Sequence, residues 1–218
     1  MTASTARRTP APHEVPLGEE DAMRARLYGL IAHLLAAPPD TAMLADLARL
    51  TGDASDLGRP LGVMAEMARE CVPDALSPNE QASDRLAREY HDLFIGLGRG
   101  ELLPYASYYL TGFLNEKPLA RLRARMKELG IERDPSVREP EDHMAAILDM
   151  MAGLIVGRFG NPADLATQKT FFTAHLADWG PYFFRDLEKA QAAHFYAPLG
   201  TLGRVFLGIE QSAFEMVD

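Results

Sequence analysis

From Glu19 onward the apolar residues of this chain recur at three- and four-residue intervals, and no run of alternating β-branched and polar residues is long enough to nominate a strand. That pattern predicts an all-α fold, punctuated by prolines and glycines. A first helix reads from about Glu19 to Ala36, with Met23, Leu27, Leu30, Ile31, Leu34 and Leu35 on its inner face and Pro38-Pro39 as its stop. Asp40 is placed to cap a second helix to about Leu50, closed by Gly52, and a third runs from about Pro60 to Cys71. A fourth starts near Ser77-Pro78 and carries Leu86, Tyr90, Leu93 and Phe94 inward. The stretch from Gly96 to Tyr109 is neither periodic nor polar and reads as an apolar, aromatic-rich loop. Helices at about Glu116–Leu129, Pro140–Arg158, Pro162–Leu176, Trp179–Ala193 and Pro198–Phe214 complete the pattern. Residues 131–139, with Pro135, form a hinge between an N-terminal helical subdomain (19–130) and a smaller C-terminal one (140–218). Residues 1–18, with Pro10, Pro12 and Pro16, are expected to be a disordered tail.

A chain of 218 residues can bury roughly 70% of its unfolded surface and needs no staple. Its hydrophobic share of 47% contains no stretch near the ~18 apolar residues of a membrane span, so stable membrane insertion is not expected. One cysteine, Cys71, excludes an internal disulfide and any Cys-x-x-Cys site, which suits a reducing compartment such as the cytoplasm; as a small hydrophobe it is expected to be buried. The net charge of −9 would repel nucleic acid and favours a cationic peptide or a basic protein patch. Arg7-Arg8 invites a reading as an export signal, but Thr-Pro-Ala-Pro-His-Glu comes next and no apolar region does.

Few residues suggest catalysis. Gly96-x-Gly98-x-Gly100 has neither the spacing nor the preceding strand of a dinucleotide fingerprint, and there is no Walker loop, Gly-x-Ser-x-Gly elbow or His-Glu-x-x-His. None of the six histidines has a glutamate three residues before it, which removes the di-iron pairing of helical bundles. No catalytic residue, metal site or cofactor is therefore expected. Glu139-Pro140-Glu141-Asp142 reads as an exposed helix start, proline first and acids facing the positive end of the dipole, tolerant of substitution. His143 would then lie on the helix surface or bond to the linker. Phe171, Phe172, Leu176, Trp179, Tyr182 and Phe183 form an aromatic stripe expected in the core.

Four segments nevertheless stand in register on this helical background: Tyr90-His-Asp-Leu93-Phe94, Pro104-Tyr105-Ala-Ser107-Tyr108-Tyr109, Glu139-Pro140-Glu141-Asp142-His143 and Phe172-Thr-Ala-His175-Leu176-Ala-Asp-Trp179. In this order, over about residues 20 to 195, they resemble the TorD/DmsD family of cytoplasmic chaperones for molybdenum- and tungsten-dependent oxidoreductases. The run from Gly98 to Tyr109 is most similar to members associated with formate dehydrogenases. Gly96–Gly100 and the N-terminal tail depart from the family's pattern, which bears on the subfamily and the client.

The resemblance implies a TorD-like helical bundle that binds rather than catalyses. Its partners would be the twin-arginine leader and the immature catalytic subunit of a molybdoenzyme, with export delayed until the cofactor is in place; a homodimer is left open. The implied peptide-binding residues are Glu139, Glu141, Asp142, His143, Tyr105, Ser107, Tyr108 and Tyr109. Residues 128–150 hold seven acids (Glu128, Glu132, Asp134, Glu139, Glu141, Asp142, Asp149) against Arg133 and Arg138, a local −5 suited to two arginines. Tyr105, Tyr108, Tyr109 and Phe113 either line an adjoining apolar groove or fill the core. Two alternatives stay open: a guanine-nucleotide switch or small enzyme centred on Asp142 and His143, and a helical scaffold with Lys117–Lys127 as its basic helix.

Overall fold

Side-chain caps set where several helices begin. Asp40 accepts a hydrogen bond from the Met43 N–H, Asp164 from that of Thr167 and His143 from that of Ala145, each satisfying one of the orphan donors of a first turn. The computed structural model describes residues 17–71 and 80–217. The expected tail up to Pro16 and the expected helix start at Ser77-Pro78 lie outside the described residues.

Among those residues the chain forms α1 (Glu19–Ala36), α2 (Thr41–Ala48), α3 (Gly58–Cys71), α4 (Glu80–Tyr90), α5 (Ala106–Thr111), α6 (Lys117–Glu128), α7 (Met144–Val156), α8 (Leu165–Phe172), α9 (Gly180–Lys189) and α10 (Tyr196–Glu215). A π-helical turn, His91–Ile95, extends α4, and another, Thr173–Ala177, extends α8. The fold is all-α; the only pairing of extended backbone among the described residues is an isolated bridge between Tyr105 and His143.

α7 is the axis of the molecule. Its sequence is apolar but for Asp149, and all but Ala146, Asp149 and Val156, which share one side, are buried, as expected of a helix with neighbours around most of its circumference. α1 lies along it, α10 packs on α9 and α3, and α2 on α3. The buried side chains on either side of residues 131–139 belong to one continuous hydrophobic cluster. Gly157 ends α7 at φ +76°, where a Cβ would also stand 2.7 Å from the Pro162 ring. Across the core, Arg24 of α1 donates two bonds of 2.8 Å to Glu210 of α10, and the Tyr28 hydroxyl donates a third of 2.9 Å. All three polar groups are thereby satisfied away from water.

Several expectations are corrected. Met23 is 62% exposed, because Ala25, Tyr28, Ile31, Ala32 and Leu35 define the buried face of α1 and Met23 lies off it. The 96–109 stretch is a loop only in part, since α5 begins at Ala106. Within the loop Gly96 adopts φ +63° with no room for a Cβ beside the Arg99 carbonyl, so these glycines serve a tight turn. The helix expected from Pro140 starts at Met144, because Glu141 and Asp142 are drawn into contacts with other segments. Cys71 is only half-buried; burial raises its thiol pKa first, with the Arg85 charge opposing. The aromatic stripe is core except for Tyr182, which is 53% exposed.

Trp179 is buried between Tyr109 and Phe183, and its Nε1 donates to the His175 carbonyl at 2.7 Å. Trp179→Ala should therefore cost about 3–5 kcal/mol, read as a lower urea midpoint. An unchanged midpoint would mean that the indole is not a core element.

Candidate functional site

The loop before α5 and the loop before α7 are stitched together by their backbones. The Ala106 N–H donates to the Asp142 carbonyl at 2.9 Å and the Met144 N–H to the Pro104 carbonyl at 2.7 Å. Tyr105 has no capping side chain of its own, and Asp142 supplies one from the other segment: its Oδ2 accepts from the Ser107 N–H at 2.9 Å. Ser107 Oγ in turn accepts from the Glu116 N–H at 3.2 Å, ahead of α6. Asp142 is 1% exposed and Ser107 is fully buried.

This overturns the reading of Glu139–Asp142 as an exposed first turn. These residues precede the helix, and Glu141 and Asp142 face inward. Glu141 is bound by Arg123 of α6 at 2.8 Å, with Arg133 at 3.7 Å. Burial pushes its carboxyl pKa up, but Arg123 and then Arg133 outweigh that and hold it below the usual carboxylate range. His143 is the N-cap of α7. Its Nδ1 accepts from Ala145 at 3.1 Å, so the capping ring is neutral and carries its proton on Nε2. Burial pushes its pKa down to about 4, against the opposing pull of Glu139 and Asp142. The Tyr105 ring stands edge-on to it at 5.1 Å.

Beside this junction lies a cleft of about 790 Å³. Its floor is apolar, with Phe94, Met126, Ile131, Ala145, Met150 and Phe159. One wall is a flank of α1, where Gly29, Ala32 and Ala36 leave space and His33 stands at the edge. The rim carries Glu132, Asp134, Glu139, Glu141 and Asp149 together with Arg133.

Of the eight residues singled out from sequence, Tyr105, Glu139, Glu141 and His143 line the cleft, with the Tyr105 hydroxyl donating to Glu139. Asp142 and Ser107 lie outside its lining and hold the junction together. Tyr108 and Tyr109 turn elsewhere: Tyr108 accepts from Arg99 at 3.0 Å, and Tyr109 packs on Trp179 and donates to Asp186 at 3.2 Å. Phe113 is 70% exposed and outside the lining. The local −5 is also partly neutralised from elsewhere in the chain, because Arg123 pairs Glu141, Arg125 pairs Glu128 and Arg158 pairs Asp149. Asp134 folds onto Ser136. Glu132 and Glu139 are the remaining rim acids, and among the described residues neither has a basic partner within ion-pair distance.

Burial of Asp142 takes away the accessible acid that a switch built on Asp142 and His143 would need. α6 spends Arg123 and Arg125 on internal acids instead of presenting a continuous basic face. Among the described residues, no group of three His, Cys, Asp or Glu side chains could hold a metal ion, and no helix is long and apolar enough to cross a membrane. The α1 wall was missed because its small residues, spaced at 29, 32 and 36, carry no chemistry of their own. Their spacing on one helix side was the available signal.

Residues 51–185, more than half of the chain, match the family model described as nitrate reductase delta subunit. The chain is also 32% identical over 139 residues to the chaperone protein TorD of Vibrio cholerae serotype O1, covering 61% of this chain and 63% of that one. The chain belongs to the TorD/DmsD family. The TorD of Aliivibrio fischeri is 30% identical over 145 residues, 63% of this chain and 67% of its own. The chain thus spans somewhat under two thirds of the Vibrio TorD. The fold of this family member matches the crystal structure of a protein described as a redox enzyme maturation protein from Archaeoglobus fulgidus, with TM-score 0.57 and 19% identity over 91% of this chain and 99% of the other.

Two measurements check the junction. Asp142→Ala strands the buried Ser107 N–H and should lower stability by about 1–3 kcal/mol, with a matching drop in the urea midpoint. A midpoint within error of the parent would return the motif to the surface. The second measurement is acid stability. His143 binds its proton near pH 4 when folded and near 6.5 when unfolded, so the unfolded state takes up more protons between the two. Its contribution is complete above pH 6.5 and is lost as pH falls towards 4, up to roughly 3 kcal/mol. His175, pushed down to about 4 by burial and then by Arg125 and Arg121, acts in the same direction. His143→Asn keeps a capping acceptor without the titration and should flatten part of the decline in urea midpoint over that range.

Proposed function

We propose that this chain is a cytoplasmic maturation chaperone that binds the twin-arginine leader and the immature catalytic subunit of a molybdenum or tungsten oxidoreductase. It would hold both until the cofactor is inserted, and so delay export. The run from Gly98 to Tyr109 favours a formate dehydrogenase as the client.

One observation carries the leader part of this reading: an apolar cleft whose rim keeps two carboxylates, Glu132 and Glu139, free of any basic partner among the described residues. Such a leader offers two arginines followed by an apolar helical stretch. A groove of the helix-binding kind needs apolar depth for the second part and unpaired acids for the first. Glu141 is already committed to Arg123, and Asp142 to the Ser107 backbone. Both are spent within the fold, and Glu139, exposed and tethered by Tyr105, is the acid best placed to meet an arginine.

Titration of a labelled twin-arginine peptide at low and high salt tests this reading. Affinity should fall as the Debye length shrinks from about 8 Å at physiological salt to about 3 Å at 1 M, without vanishing, because the apolar floor is not screened. Glu139→Gln should weaken binding about 3- to 10-fold at physiological salt with an unchanged melting temperature. A salt-independent affinity, equal for Arg-Arg and Gln-Gln peptides, would mean that the rim does not read the arginines.

A further inference from the structure

Glycine is a poor residue for the middle of an α-helix, since it loses more backbone freedom than alanine and adds no packing. α1 nevertheless carries Gly29 in its interior. The usual reasons for a helical glycine are absent there. Gly29 has no positive φ, and a Cβ built on it would meet no described atom within 4 Å. Gly200 and Gly203 of α10 are different, because a Cβ on either would run into α9, at 2.5 Å from the Glu188 nitrogen and 2.3 Å from the Phe184 ring.

What sets Gly29 apart is its place in the cleft lining. With Ala32, His33 and Ala36, at i, i+3, i+4 and i+7, it forms one face of α1. α7, which packs along α1, contributes Ala145 and Ala146 to the same lining. The gap at Gly29 thus opens onto a groove walled by small side chains from two helices. The cleft also holds an unmet hydrogen-bond donor. His143 is 8% exposed and lines the cleft; its Nδ1 is taken by the Ala145 N–H, which leaves the proton on Nε2, and no described residue accepts from it. A nearly buried donor without an acceptor is costly unless an occupant of the cleft supplies one.

We propose that Gly29 is a specificity-determining position of the cleft, and that the gap where its side chain would stand seats one large apolar side chain of the bound helical stretch. The inference rests on the leader-binding reading and names what the apolar half of the cleft selects. Such a side chain enters as a knob into a hole, with the hole framed by Ala32, His33 and Ala36. A leucine, phenylalanine or methionine at that turn of the leader gains contacts on the lining that an alanine forgoes. The helix stability given up at Gly29 is the counterpart of that room.

The test titrates a labelled twin-arginine peptide, apolar stretch included, into the full chain and into Gly29→Ala, Gly29→Leu and Gly208→Ala. Gly208 also lies inside a helix with open space around its Cβ, but outside the cleft lining, which makes it the matched control. Both alanine variants should melt about 2 °C above the parent, because alanine is the better helix former. Only the Gly29 variants should lose affinity, about 3-fold for alanine and about 10-fold or more for leucine. A size swap then separates a filled gap from a disturbed helix. Each large apolar residue of the peptide is trimmed to alanine in turn, and the one that seats at Gly29 should bind the parent more weakly, yet bind Gly29→Leu about 3-fold more tightly, than the untrimmed peptide does. Parent-like affinity in Gly29→Leu, or no trimmed peptide that this variant prefers, overturns the proposal and leaves leader binding standing. A parent that fails to bind the twin-arginine peptide overturns the leader-binding reading itself, and the proposal with it.

Discussion

The hydrogen bond between the Asp142 carboxyl and the Ser107 N–H holds two distant stretches of the chain to one another. Around it the backbones of residues 104–106 and 142–144 pair, α5 gains the cap it lacks, and Ser107 passes the constraint on to Glu116 and α6. Together with the two backbone bonds, that contact fixes the end of the 131–139 linker against the α5 segment. The same pairing stands Tyr105 beside His143, at the corner where the cleft's acids and its apolar floor meet.

Helix positions and class could be read from the chain because they rest on local chemistry: apolar spacing, Asp40 as a cap, Gly157 and the prolines as stops. The start of α7 could not. Glu-Pro-Glu-Asp has every local mark of a first turn, yet the tertiary pull on Glu141 from Arg123 and on Asp142 from Ser107 keeps it out of the helix. His143 then takes the cap. The same reason explains the candidate site. The acidic composition of 128–150 was legible, but which acids remain unpaired depends on Arg123, Arg125 and Arg158, which other parts of the fold bring in. Tyr108 and Tyr109 share a short helix with Ser107, and the direction of each ring followed from α5, which the pattern did not announce.

The two π-helical turns lie inside the two segments with Tyr-x-x-Leu-Phe and Phe-x-x-His-Leu-x-x-Trp spacing. A π turn inserts a residue into the helical count and rotates the side chains beyond it, and such turns concentrate where a helix must re-aim a side chain. Here the first sets Phe94 and Ile95 at the cleft, and the second lets the Trp179 indole reach back to the His175 carbonyl. No propensity in these sequences distinguishes them from ordinary helix.

The cleft is built on the same helices that form the core. Ala32, Met126, Ala145 and Met150 line it and are also buried members of the central cluster. Enlarging Ala32, Ala145 or Met150 would strain the helices α1 and α7 that pack on one another as well as change the shape of the cleft. The rim is under no such restriction, since Glu132, Asp134 and Glu139 are exposed and can be exchanged at small cost in stability. If the cleft is the client's seat, as proposed, a lineage that adopts a new client can therefore retune the charged edge freely. The depth of the cleft is inherited with the fold, so on the proposed reading relatives should differ more in the charges of the rim than in the size of the apolar segment they admit.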